Sequence, residues 1–209
     1  MKQTVRTVEP LCLLLLVLSL AGCDEKPGEP LVTSSDEPVA RAYDTTLEVQ
    51  QAREAIGAFA TALKSELTSA MQNGGPLNAI EICNTRAIAI RQQVSEDRGL
   101  RLSRVSLRNR NPGNAPLDWQ RPVLESFDQQ MAAGADPNGL DWSEIVTNDS
   151  RRQFRYMKAI PTGGLCLQCH GQNVAPGVHQ KLNELYPNDQ ATGYSEGEIR
   201  GAFVVVRDL

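Results

Sequence analysis

The chain has 209 residues, 41% of them hydrophobic, and a formal net charge of −4. That length suits one folded domain with an added segment, and the excess of acids gives no electrostatic basis for binding nucleic acid. With five cysteines and two histidines in the whole sequence, thiol or imidazole chemistry is confined to a few positions.

Met1 to Gly22 has the three parts of an export signal: Lys2 and Arg6, the apolar run Leu11 to Leu20, then the small residues Ala21 and Gly22. The run is too short to span a bilayer comfortably, although an uncleaved anchor is the alternative reading. "LAGC", Leu20 to Cys23, resembles a bacterial lipoprotein signal, so residues 1–22 are expected to be removed and Cys23 to be acylated. Acyl chains there would hold the protein on a membrane surface. Asp24 resembles an inner-membrane retention signal, which gives the periplasmic side of a bacterial membrane as the expected location. Residues 23–44 are rich in proline, acids and serine and read as a flexible tether, leaving 45–209 as the folded domain.

Thr45 with Glu48 has capping-box spacing, and Ile56, Ala60, Leu63, Leu67 and Met71 follow at helical intervals until Asn73, Gly74 and Gly75. Pro76 opens a second helix whose apolar stripe is Ile80, Cys83, Ala87, Ile90 and Val94, ending at Gly99. The short connection predicts an antiparallel helical hairpin, with Cys83 facing the core. "LRLSRVSLR" reads as a strand and "NRNPGNAP" as a loop. Asp118 is placed to cap a third helix through about Ala133, with Val123, Leu124, Phe127 and Met131 inward. "WSEIVTN" and "RRQFRYMKAI" read as a strand pair across a turn at Asn148 to Ser150; a short helix over "HQKLNELY" and a last strand over "GEIRGAFVVVRDL" finish the chain. Helices followed by strands with few helical crossovers predict an α+β fold with a largely antiparallel sheet.

The cysteines then separate by role. Cys12 leaves with the signal and Cys23 is the lipid site, so Cys83, Cys166 and Cys169 remain. "CLQCH", Cys166 to His170, has the spacing of c-type haem attachment, in which two sulfurs form thioethers and the histidine ligates iron. Competing readings are a structural disulfide, which gives His170 no role, a zinc site, which needs about four ligands, and a thioredoxin-like pair. The last wants its cysteines at a helix start after a strand, whereas "PTGG" and "GQNVAPG" around the motif describe loop. Export agrees with haem c, which is attached after translocation. For a further iron ligand the residues leave Cys83, His179, Met71, Met131 and Met157 open; Cys83 reads equally well as a buried core thiol.

Four stretches carry a resemblance: "AIEICN" around Cys83, "RVSLRNRNPGNAPLDWQ" from Arg104, "CLQCHG", and "LYPNDQATGYSEGEIRGAFVV" from Leu185. In order and content they resemble a family of single-haem c-type proteins with a PAS-like fold, long described only as a domain of unknown function and known from a cyanobacterial member. The resemblance covers about Ala55 to Leu209 and implies one covalent haem, His170 as proximal ligand, Cys83 as distal ligand, and a PAS-like sheet. Many relatives carry this domain ahead of membrane and signalling segments; this chain ends at Leu209, so a signalling role requires a separate partner.

Haem propionates need cations or hydrogen-bond donors. Arg108, Arg110, Arg151, Arg152 and Arg155 are the candidates, with Arg110, Asn111 and Asn114 as the preferred cluster, while Trp119, Trp142, Phe154 and Tyr156 are candidates to pack on the ring. The functional expectation is a tethered one-electron carrier or redox sensor with an unidentified redox or signalling partner. A sensor of NO or CO is the alternative. An enzyme such as a peroxidase is disfavoured, because it needs an open iron position and an acid–base pair that the sequence does not display.

Overall fold

The computed structural model describes residues 44–148 and 151–209. The signal, the tether with Cys23 and Asp24, and the turn at 149–150 lie outside the described residues.

The first element, α1 (Thr46–Arg98), is helical except at Gly75, whose φ of 67° and ψ of −164° belong to backbone that only glycine adopts readily. The chain folds back there, and Pro76 begins the returning arm. Three contacts show the arms antiparallel: Glu54 meets Arg98, Glu66 meets Arg86, and the Ala70 carbonyl accepts from the Asn78 side chain. The expected hairpin is therefore present. Its first cap differs from expectation. The Thr45 side chain makes no capping bond; Asp44 Oδ1 instead accepts from the Thr46 amide and hydroxyl.

Next come β1 (Arg101–Val105), α2 (Gln120–Ala132), β2 (Asp141–Asn148), β3 (Arg151–Pro161), the one-turn α3 (Leu167–His170), α4 (Pro176–Leu185) and β4 (Ile199–Asp208). The sheet order is β1-β4-β3-β2, antiparallel throughout. This is the α+β arrangement with an antiparallel sheet that the sequence led us to expect. Two boundaries shift for local reasons. Asp118 lies outside α2, where the Gln120 side chain accepts from the Leu117 amide instead, and α4 starts at Pro176, three residues before the expected helix.

Side chains alternate across the sheet, so each face has its own core. Val105, Met157, Ala159, Ala202 and Val204 pack with Val123, Leu124 and Phe127 of α2. On the other face Leu102, Phe154, Tyr156 and Val205 pack with Ala52, Ala55, Ile56 and Phe59 of α1. A third cluster joins Ile80 of the returning arm to Val178 and Leu182 of α4, with Cys169 against it. Thus the hairpin packs on the sheet with its first arm and with Ile90 and Val94 of its second, and on α4 with Ile80.

No helix among the described residues is long and apolar enough to cross a membrane. The Gly75→Ala variant is expected to lose roughly 1–3 kcal/mol of stability, because a Cβ strains this backbone region. Urea unfolding followed by circular dichroism measures it; a loss below about 0.5 kcal/mol contradicts the role given to Gly75.

Candidate functional site

The returning arm of α1 and the α3 turn face one another across a cavity of about 330 Å³, a size in the range of small-molecule sites. Cys83 lines it from the helix; Cys166, Cys169 and His170 line it from the turn after β3. All three thiols are free and half-buried. Leu63, Leu67 and Met71 of the first arm, with Ala87 of the second, supply apolar wall.

The motif that the sequence placed in a loop is a 3-10 turn, Gly164–Cys166, running into α3. It therefore does begin a helix after a strand, and loop context no longer argues against a thioredoxin-like pair. Burial raises the Cys169 thiol above its ordinary pKa. For zinc, no group of three His, Cys, Asp or Glu among the described residues converges on one point. The four residues instead stand around a cavity.

His170 is held by its backbone and its ring. Nδ1 donates to the Ala191 carbonyl at 2.7 Å, which puts the proton on Nδ1 and leaves the Nε2 lone pair free. The His170 carbonyl accepts from the Tyr194 amide and the Gly171 carbonyl from the Gly193 amide, both at 2.9 Å. Gly171 itself allows the close approach behind the motif, since a Cβ there would lie 2.5 Å from the Leu167 carbonyl oxygen. Burial, reinforced by Arg200 and Arg110, drives the imidazole pKa down to about 2, so the ring is neutral.

Behind this contact stands an ion pair. Arg110 Nε donates to Asp189 at 2.9 Å, with side-chain exposures of 14% and 6%. A terminal nitrogen of Arg110 donates to the Cys169 carbonyl at 2.6 Å and to the Ala191 carbonyl at 3.3 Å. Asp189 also accepts from the Ala191 amide at 2.8 Å. Arg108 donates to the carbonyls of Gln190 and Thr192 and lies 4.1 Å over the Tyr194 ring. Asn111 lines the cavity and accepts from the Gly113 amide.

Across the cavity, burial raises the Cys83 thiol above its ordinary pKa, opposed by the charges of Arg104, Arg200 and Arg110. Of the other proposed iron ligands, Met71 lines the cavity, whereas Met131 and Met157 pack in the α2 core. His179 is exposed on α4, bonded to Asn183.

Several expected ring contacts lie elsewhere. Tyr156 is on the sheet under α1, where its hydroxyl donates to Asp141 at 2.7 Å and accepts from Arg53. Its burial in that core removes it from the cavity. Trp119 stacks on Trp142, and Arg155 pairs with Glu144 and lies over Trp119. Sequence reasoning passed over Arg104, Arg200, Asp189 and Ala191. Arg104, Asp189, Ala191 and Arg200 all fall in the stretches that carry the resemblance, the one signal that pointed towards them.

A family model described as Tll0287-like matches residues 39–207. The chain belongs to the Tll0287-like family. Among solved structures, the crystal structure of the cyanobacterial heme-protein Tll0287 is similar, with 20% identity, a TM-score of 0.56, and coverage of 78% of this chain and 95% of that one. At this identity the likeness establishes a shared fold. No curated protein matches the sequence.

The Asp189→Ala variant of this Tll0287-like protein leaves Arg110 as an uncompensated buried charge and is expected to cost about 3–5 kcal/mol. Removing Glu66, the partner of the exposed Arg86, is expected to cost no more than about 1 kcal/mol. Equal losses for the two variants in denaturant unfolding contradict a buried clamp behind His170.

Proposed function

We propose that the protein carries one covalent haem c and acts in one-electron transfer or redox sensing on the outer side of a bacterial membrane, tethered through Cys23. The observation that carries this reading is that Cys166, Cys169, His170 and Cys83 line one cavity, with His170 locked in the tautomer that a metal ligand needs. In this reading Cys166 and Cys169 would hold the haem as thioethers, and Nε2 of His170 and the Cys83 sulfur would ligate its iron. When bound, the haem supplies a one-electron iron couple. The chain's own part is to orient the imidazole through Ala191, to bring a thiol from a separate helix, and to line the cavity with apolar side chains that limit water.

The residues fit such a group on independent grounds. Apolar side chains of both α1 arms flank the thiols, as a macrocycle requires, and the wall carries cations without carboxylates. A peroxidase-type reaction would need an acid–base pair at the iron, and no Asp or Glu side chain lines the cavity. Replacement of Cys83 by NO or CO is the second reading, favoured by one observation: Cys83 is on α1, whereas His170 is on the turn after β3. Loss of the Cys83 bond would therefore release the helix without releasing the haem, which gives ligand exchange a mechanical output.

The full chain, produced in a host with a haem c maturation system, is expected to retain haem through denaturation, seen as one haem of added mass. Cys166→Ala with Cys169→Ala should release it. Cys83→Ala should keep the haem, change the oxidised absorption spectrum and raise the midpoint potential, because an anionic thiolate favours iron(III). No covalent haem in the wild type overturns the proposal, and an unchanged Cys83→Ala spectrum removes Cys83 from the iron.

A further inference from the structure

Five arginines line the cavity, Arg91, Arg104, Arg108, Arg110 and Arg200, and no aspartate or glutamate does, although the chain is acidic overall. Arg110 is committed to Asp189 and two carbonyls, and Arg108 to the carbonyls of Gln190 and Thr192. Arg91, Arg104 and Arg200 form no ion pair among the described residues; Arg91 comes from the returning arm of α1, Arg104 and Arg200 from the sheet.

Arg200 reaches the cavity through a break in the sheet. Along β4, Val204 and Ala202 face α2, and an unbroken strand would send residue 200 to that same face. The pairing slips, however: Ile160 pairs with Gly201, and Pro161 with Ile199, leaving Arg200 as the extra residue of a β-bulge. Ile199 takes the place in the α2 core, and Arg200 lines the cavity instead. The Ser106 hydroxyl fixes the bulge by donating to the Arg200 carbonyl at 2.7 Å. Arg200 Nε is buried with no hydrogen-bond partner among the described residues.

Arg104 comes from β1, its guanidinium 5.5 Å over the Phe59 ring. Burial, and next the charge of Arg200, bring its pKa down to about 10; burial lowers Arg200 as well. Two half-buried cations on one cavity wall cost free energy, which a facing anion offsets. Each guanidinium presents the planar fork that matches a carboxylate.

We infer that Arg104 and Arg200 are the receptor for a pair of ligand carboxylates, the two propionates of the haem, an inference that rests on the haem reading above. It replaces the preferred cluster of Arg110, Asn111 and Asn114 and the candidate Arg108, because the protein itself engages both arginines. The nearby Cys83 thiolate is the competing anion for the same charges.

The test is the midpoint potential of the haem-loaded full chain between about pH 5 and 8, above the ordinary carboxyl range. The other titratable groups on the wall are Cys83, Cys166, Cys169, His170 and Tyr186. Haem attachment and ligation engage the first four, and burial raises the Tyr186 pKa further above its ordinary value, outside the scan.

In the wild type the propionates stay ionised and the potential is flat. In Arg200→Gln and in Arg104→Gln their pKa rises into the scanned range, so the potential falls as pH rises. Arg200→Lys keeps most of the flatness. A constant offset at every pH, or no change, overturns the inference; so does loss of the new slope when Cys83→Ala is added, which assigns the arginines to the thiolate. Should the variants fail to fold, the infrared redox difference spectrum of the wild type at about pH 6 decides: ionised carboxylate bands are expected, and a protonated propionate band overturns the inference. A wild type without covalent haem instead refutes the earlier reading, and mass measurement separates the two failures.

Discussion

The Ala191 carbonyl oxygen accepts from His170 Nδ1 and from Arg110 at once. One acceptor thereby sets the tautomer of the imidazole and ties it to a buried ion pair, since Arg110 also holds Asp189 and the Cys169 carbonyl. Asp189 closes the loop through the Ala191 amide. The CLQCH turn is only four residues of helix and has little intrinsic stability of its own. Its conformation is imposed from outside, by the 189–194 segment bonded along it.

The rest of the arrangement follows from where that turn is held. It projects from the end of β3 towards the returning arm of α1, and α4 with Ile80 packs beside Cys169 to fill the space on one side. What remains between turn, hairpin and sheet is the cavity. Its two thiol-bearing walls belong to different elements, linked through packing and not through the local backbone. Under the proposed reading, a site divided in this way would keep a haem on one wall while the other wall moved, so electron transfer and ligand-exchange sensing are both compatible with a single geometry.

Much of this could be read in advance, and the failures have physical causes. The hairpin, its break at Gly75, the strand pair and the Cys166–Cys169–His170 motif each rest on local sequence: period 3.6, period 2, glycine and proline, cysteine spacing. The cavity itself was hidden because a helix face against a cofactor space has the same periodicity as one against a core. Leu63 and Leu67 looked like core positions, Met71 and Cys83 were left open between core and ligand, and all four line the cavity. Tyr156 was misjudged because an aromatic residue on a strand gives no sign of which face it takes. Arg200 was beyond prediction, since its direction depends on a bulge whose partner strand lies some forty residues away. Asp189 and Ala191 act through long-range hydrogen bonds that leave no periodic trace.

Iron X-ray absorption of the oxidised full chain tests the divided site most directly. The account predicts five nitrogen neighbours and a single sulfur at thiolate distance, contributed by Cys83 from the returning arm of α1. A longer thioether distance would point to Met71, and a first shell with no sulfur would contradict the pairing of the two walls around one metal.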